Sequence, residues 1–289
     1  MTEDRISLGI GQKWLIKGQE LHVDTPLIMG ILNVTPDSFS DGGKFVDPST
    51  ALEKALEMLS SGATIIDVGG ESTRPGSKPV TAQEEISRVI PIIEKLASQS
   101  GALISIDTQK AAVARAALEA GAHIVNDVSG GRNDAAMFAL VQESRAGFIL
   151  MHMLGTPETM QHAPVYGKVL EDVIHFFNES VHAATNSGID MDQIILDPGI
   201  GFGKTLTDNL VLMGNLGVLK ELGRPLLLGA SRKSFIGMID DSTPDQRLGG
   251  SLAAVISAYQ QGVRLFRVHD VAETRQVLDI FTAIQKHSD

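Results

Sequence analysis

Short apolar runs alternate with longer stretches of helical spacing along most of this chain. The runs are Leu27–Leu32, Thr64–Val68, Leu103–Ile106, His123–Val125, Gly147–Met151, Gln193–Leu196, Pro225–Leu228 and Arg264–Val268. They are apolar on both faces, which predicts strands of a parallel sheet covered on both sides. Of the intervening segments, Ala51–Ser61 closes at Gly62, and Ala82–Gln99 carries Ile86, Val89, Ile90, Ile93 and Leu96 at helical spacing. The Ala-rich Gln109–Ala120 closes at Gly121, and Ala135–Glu143, Leu170–Asn186, Asp208–Leu222, Leu248–Gln261 and Val271–Lys286 follow. Eight strands alternating with eight helices predict an α/β fold closed as a (β/α)8 TIM barrel, with a doubly wound open sheet as the alternative. Ahead of the first strand, Trp14–Val23 predicts a β-hairpin turning at Lys17-Gly18 and plugging the bottom of the barrel. No linker or low-complexity stretch interrupts the pattern, so residues 1–289 are expected to form a single domain.

Composition narrows the function classes. The 289 residues are 43% hydrophobic and 20% charged, ordinary values for a globular chain. The net charge of −11 argues against nucleic acid as a partner, because such binding needs a basic stripe. An anionic ligand would therefore need a local basic site in an acidic body. Cysteine is absent, which excludes disulfides, a thiolate nucleophile and Cys-based metal sites. No apolar run approaches the ~18 residues of a membrane span. Met1–Gly11 lacks an apolar core of signal-peptide type. The expectation is a soluble cytoplasmic protein with no membrane partner.

Active sites of such barrels lie at the C-terminal ends of the strands. The residues there are Asn33-Val34-Thr35-Pro36-Asp37-Ser38-Phe39-Ser40-Asp41-Gly42-Gly43 after strand one and Gly69-Gly70-Glu71-Ser72-Thr73-Arg74-Pro75-Gly76 after strand two. Asp107, Asn126-Asp127 and Met151-His152 close strands three to five. Asp197-Pro198-Gly199-Ile200-Gly201-Phe202-Gly203-Lys204 follows strand six, Ser231-Arg232-Lys233-Ser234 strand seven, and Arg267-Val268-His269-Asp270 strand eight. Singly, each has a bland reading: Asp107 and Asp197 as caps or turns, His152 and His269 as packed histidines, Lys233 as a surface charge. Together they converge on one end of one barrel. Two carboxylates (Asp107, Asp197), an amide (Asn126) and an ammonium (Lys233) suit a flat neutral heterocycle with both donors and acceptors. Arg267, His269 and Asn33 become neighbours when the barrel closes, at the fold's usual phosphate corner, where Arg and His would supply positive charge.

Several alternative sites fail on spacing. Gly203-Lys204-Thr205 resembles the tail of a P-loop, but the required first glycine is Pro198. Gly199–Gly203 is not a dinucleotide fingerprint, and no clustered histidines offer zinc. A metal would be Mg2+, held mainly by ligand phosphates plus one protein oxygen.

The two long strand-end motifs and the six shorter ones, in this order, resemble the dihydropteroate synthase family over roughly residues 27 to 286. The resemblance implies a transferase joining 6-hydroxymethyl-7,8-dihydropterin diphosphate to p-aminobenzoate, releasing diphosphate and 7,8-dihydropteroate. It implies that Asp107, Asn126, Asp197 and Lys233 hold the pterin and that Met151 also contacts substrate. Arg267 and His269 would bind diphosphate, and Asn33 would serve its Mg2+. Thr73, Arg74, Pro75, Phe39 and Phe202 would shape the p-aminobenzoate pocket, and Ser234 would meet its carboxylate. The family is commonly a homodimer and a target of sulfonamides. The chain is expected to be too short for a fused pyrophosphokinase domain.

A dissociative, Mg2+-assisted substitution suits these residues, since an arylamine is already a neutral nucleophile and needs no strong base. In that chemistry Lys233, Arg267, Asp41 and Arg74 carry catalysis, and loops Thr35–Phe45 and Ser72–Pro79 close over the site to exclude water. The rivals are a methyltetrahydrofolate-dependent methyltransferase and a non-catalytic pterin-binding protein.

Overall fold

The computed structural model describes residues 12–35, 48–73, 76–160 and 164–287. It opens with an antiparallel hairpin of β1 (Lys13–Ile16) and β2 (Gln19–His22). Its two turn residues, Lys17 and Gly18, both have left-handed φ (48° and 80°), which matches the right-handed twist of the flanking strands.

Eight parallel strands follow: β3 (Leu27–Asn33), β4 (Ile65–Gly69), β5 (Leu103–Asp107), β6 (Ile124–Asp127), β7 (Gly147–Met151), β8 (Ile194–Asp197), β9 (Leu227–Leu228) and β10 (Leu265–Val268). Their order around the sheet is β8-β7-β6-β5-β4-β3-β10-β9. A parallel bridge between Leu196 and Leu226, with the Leu196 amide donating to Pro225 O at 3.0 Å, brings β8 against β9 and nearly closes the barrel. The predicted barrel is thus the observed fold, and the open-sheet alternative is set aside.

Helices α1 (Pro48–Ser60), α2 (Ala82–Gln99), α3 (Ala111–Glu119), α4 (Met137–Ser144) and α5 (Val169–Asn186) cover the first half. α6 (Leu206–Gly214), α7 (Leu216–Lys220), α8 (Ser234–Asp240), α9 (Leu248–Gln260) and α10 (Val271–Gln285) cover the second. The α2 bounds are those the periodicity predicts, with Thr81 as a cap accepting from the Glu84 amide at 3.2 Å. The single helix expected over Asp208–Leu222 is instead two. Asn215 leaves helical geometry (φ −128°, ψ 26°) and its Nδ2 donates back to Val211 O at 2.8 Å, which ends α6. α8 is an additional short helix between β9 and α9.

Each strand alternates between a face toward the helices and a face toward the barrel axis. Ile28, Leu32, Ile66, Val68, Ile104, Ile106, Val125, Leu150, Leu196, Leu228, Phe266 and Val268 pack outward with the helices in the main core. At the bottom, Leu27, Met29, Ile65, Ile124, Ile149, Ile195, Leu227 and Leu265 pack with Trp14, Ile16 and Val23 of the hairpin segment. Trp14 is fully buried and its Nε1 donates to Gln193 O at 2.7 Å. β7 must begin with glycine, because a Cβ on Gly147 would stand 2.9 Å from Trp14 Cζ2. The hairpin therefore plugs the barrel floor as the sequence predicts. Among the described residues, no helix is long and apolar enough to cross a membrane.

Candidate active site

The inward parity that is apolar at the floor turns polar two residues further up. Ile65 is followed inward by Asp67, Leu103 by Ser105 and Asp107, Ile124 by Asn126, Ile195 by Asp197, and Leu265 by Arg267. Strand geometry alone brings these side chains together at one mouth. Asp107, Asn126, Asp197 and Arg267 line a cleft of about 430 Å³, open to solvent, with Thr73, Met151, Phe202, Lys233 and His269 from the same end. Nine residues expected from the sequence are thus in one place: Thr73, Asp107, Asn126, Met151, Asp197, Phe202, Lys233, Arg267 and His269.

Arg267 organises the floor of the cleft. Its Nε donates to Asp67 Oδ2 at 2.6 Å and its Nη2 to Asp107 Oδ2 at 2.7 Å. Asn126 Nδ2 donates to the same Asp67 oxygen at 3.1 Å. The other oxygens, Asp67 Oδ1 and Asp107 Oδ1, are buried with no protein partner, as is Ser105 Oγ. A buried acceptor left unmet costs free energy in the free protein and is ready for a donor. Burial pushes Asp107 up to about 7; Arg267 opposes the shift, and the Asp67, Glu85 and Asp127 carboxylates add to it. Burial also raises Asp197, against the Gly199 amide that donates to its Oδ1 at 2.8 Å and against Lys233 and Arg267. For Arg267, burial opposes the charge, but Asp67 and Asp107 outweigh it and hold the guanidinium protonated.

Lys233, just after β9, lies in the same cleft as these acids. Its Nζ donates to Ile200 O at 2.6 Å and lies 3.9 Å from the centre of the Phe202 ring. Burial lowers its pKa to about 7, with Asp197 and Asp107 pulling upward and Arg267 downward. Val128, Met151 and Phe202, backed by Met153 and Met160, form an apolar wall that suits a flat ring.

The anion corner differs from its expected form. Arg267 is tied to carboxylates of β4 and β5. His269 was expected to carry positive charge. Burial, with Arg267 and Arg232 nearby, lowers its pKa to about 4, so it is neutral in the free protein. Its Nδ1 sits 3.0 Å from Ser231 Oγ. Asn33 ends β3, and Gly69 lets it approach the acids: a Cβ there would lie 3.5 Å from Asp107 Cβ and 3.8 Å from Asn33 Oδ1. Ser234 opens α8, exposed and outside the cleft lining. Phe39, Asp41, Arg74 and Pro75 lie outside the described residues.

Sequence reasoning assigned no role to Asp67, which stands inside an apolar run and opens the second family motif. Its parity with Ile65 and Gly69, one strand from Asp107, was the available signal. It also missed Ile31, Val128, Gly229 and Ser231 as lining. His152 follows the bland reading: it is buried outside the cleft, edge-on to Phe176 at 4.8 Å between ring centres.

Fold and mouth together define a (β/α)8 barrel whose strand ends gather buried acids, an amide and cations in one cleft. A family model described as "Pterin binding enzyme" matches residues 29–269. The chain is 46% identical over 278 residues to the dihydropteroate synthase of Synechocystis sp., covering 96% of this chain and 94% of that one. Two solved structures of Xanthomonas albilineans dihydropteroate synthase share its fold. One, with 4-aminobenzoic acid, has a TM-score of 0.90 and 43% identity over 96% of this chain and 100% of that one. The other, in complex with 7,8-dihydropteroate, has a TM-score of 0.84 and 41% identity over 94% and 98%. The chain belongs to the dihydropteroate synthases, transferases within the pterin-binding enzyme family.

Proposed function

We propose that the mouth binds 6-hydroxymethyl-7,8-dihydropterin diphosphate and p-aminobenzoate together and transfers the pterin methylene to the arylamine. The observation that carries this reading is Asp107 Oδ1, a buried acceptor without a partner in a cleft that also holds Asn126, Asp197 and Lys233. A pterin edge presents ring N–H and amino donors to Asp107 and Asp197, and ring acceptors to Asn126 and Lys233. Met151, Val128 and Phe202 cover its face. Thr73 and Phe202 bound the p-aminobenzoate side, and Ser234 serves its carboxylate. Relatives bound to 4-aminobenzoic acid and to 7,8-dihydropteroate support this assignment of ligands.

In the transfer, the methylene carbon–oxygen bond breaks and its electron pair leaves with diphosphate. The arylamine nitrogen then forms the new bond to carbon and loses a proton. Asp107 and Asp197 favour the cationic methylene–pterin electrostatically. Arg267 donates to the departing diphosphate, and His269 does so as a neutral imidazole. The donor set fits Mg2+ brought with the diphosphate rather than held in a protein cage. Among the described residues no group of three His, Asp or Glu could hold a metal, and Asn33 offers one neutral oxygen beside the acids. Bound there, Mg2+ would neutralise charge building on the diphosphate. Exposed Met238 and Ile239 on α8 and Ile280 and Ile284 on α10 suit burial in a homodimer, which sedimentation at micromolar concentration checks.

The test is dihydropteroate formation and diphosphate release by purified protein with Mg2+, with and without p-aminobenzoate. Dihydropteroate formed only with both substrates is the expected result. Diphosphate release without arylamine, absent in Lys233→Ala, supports cleavage before attack. Pterin binding without product under any condition overturns the reading in favour of a non-catalytic or methyl-transferring protein.

A further inference from the structure

Lys204, whose Gly-Lys-Thr context fits no phosphate loop, is almost fully buried, at 2% exposure. Its Nζ lies 2.9 Å from Gly199 O, 3.0 Å from Phe202 O, 3.3 Å from His152 O and 2.9 Å from His152 Nδ1. Among the described residues, no carboxylate forms an ion pair with it. A buried amine without an ion pair persists only where a cage of acceptors meets it, so this cage shapes the chain around it.

The cage spans two strand ends. His152 follows β7, and Gly199–Gly203 follows β8. The second segment is built to come close: Gly199, Gly201 and Gly203 have φ of 64°, 84° and 63°. A Cβ on Gly199 would lie 2.0 Å from His152 O, and one on Gly203 would lie 2.4 Å from Leu154 O. Asn209 holds the same loop from its other side, with Oδ1 accepting from the Gly201 amide at 2.7 Å and Nδ2 donating to Thr205 O at 2.8 Å. What the loop presents to the cleft is not core. Phe202 lines the pocket beneath the Lys233 ammonium, and Ile200 O is the acceptor of Lys233 Nζ.

We propose that Lys204 is a positioning residue for the pterin site: by tying the Gly199–Gly203 loop to the end of β7, it sets Phe202 and Ile200 O so that Lys233 meets the pterin. The proposal rests on the functional reading above and names a residue outside the cleft as part of its precision. Lys204 touches no substrate and acts through Lys233. Among the described residues, no other side chain hydrogen-bonds to Gly199 O, Phe202 O or His152 O, so a methionine of similar length leaves the loop unpinned.

The experiment is calorimetric binding of 6-hydroxymethylpterin to the whole chain and to Lys204→Met, Lys233→Met and the double variant, with thermal unfolding and steady-state kinetics in parallel. Lys204→Met should weaken binding by about ten-fold or more, as loss of several buried hydrogen bonds does. KM for the pterin diphosphate should rise by a similar factor, while kcat changes less. The double variant should bind no more weakly than Lys233→Met alone, because the two act as one unit. Unchanged binding in Lys204→Met, or losses that add in the double variant, would overturn the proposal. If Lys204→Met does not fold, Asn209→Ala takes its place. A loss of about three-fold, non-additive with Lys233→Met, is then expected, and no loss or an additive one overturns it. Failure of the unaltered chain to bind the pterin overturns the functional reading itself and this inference with it.

Discussion

The two ends of the barrel are built from the same strands and solve opposite problems. At the floor, inward side chains are apolar, the hairpin covers them, and the one polar atom of Trp14 has its partner in Gln193 O. At the mouth, inward side chains are carboxylates, an amide and cations, and two carboxylate oxygens remain without partners. The floor is satisfied by its own partners, and the mouth keeps buried acceptors unmet. The difference lies in two residues of register: Ile65 against Asp67, Leu265 against Arg267. Stability and chemistry are thereby separated along one axis, and each can be perturbed without the other.

The largest expected effect is at the floor. Trp14→Ala should cost about 3–5 kcal/mol of unfolding free energy, as truncation of a large buried aromatic does. Pterin affinity and kcat should stay near their original values where the variant is folded. Chemical denaturation and steady-state kinetics on one preparation check both. A matching loss of kcat would show that floor and mouth are coupled.

Next is Lys233→Met at the mouth. It removes a donor aimed into the cleft, so kcat/KM should fall about 10²–10³-fold, roughly 3–4 kcal/mol of transition-state stabilisation. Stability should hold or rise, because burial already depresses the Lys233 charge. A melting temperature lowered as far as in Trp14→Ala would erase the contrast between the ends.

The smallest effect sharpens the boundary between them. His152 lies beneath the mouth, and burial, then Lys204 and Arg132, lowers its pKa to about 2. The unfolded chain therefore binds a proton there that the folded protein refuses between about pH 6.5 and 2. Stability from this group is present above pH 6.5 and is lost as pH falls. Between pH 7 and 5 it amounts to about 2 kcal/mol. His152→Gln should remove that part of the acid dependence, read by guanidinium unfolding at the two pH values. An unaltered slope would mean that His152 is protonated in the fold.

The contrast between the ends also explains what was legible in the sequence. All eight barrel strands stood out because a strand buried on both faces is a continuous apolar run, and the hairpin because Lys17-Gly18 separates two short runs. The strand-end residues could be named because barrel topology fixes where chemistry gathers. Asp67 was hidden because one acid inside Thr64–Val68 does not break an apolar run, and only pairing with β5 shows it facing Asp107 and Arg267. Lys204 was set aside because its motif fails as a phosphate loop, and a cage of carbonyls has no sequence signature. The split at Asn215 depends on a side-chain hydrogen bond to Val211 O that periodicity does not encode. The neutrality of His269 is set by burial and by Arg267 and Arg232, which no local pattern reports.

Ligand and fold make separate demands on Asp107, and the stability of Asp107→Asn measured with and without 6-hydroxymethylpterin separates them. The central claim is that Asp107 is held, partly unpaired, for a ligand rather than for the fold. Without ligand, the variant should be within about 1 kcal/mol of the unaltered protein, since Arg267 keeps Asp67 and an amide oxygen can still accept from it. The stabilisation that saturating pterin gives the unaltered protein should largely vanish. A variant several kcal/mol less stable that still gains the full ligand stabilisation would contradict the claim and make Asp107 a structural residue.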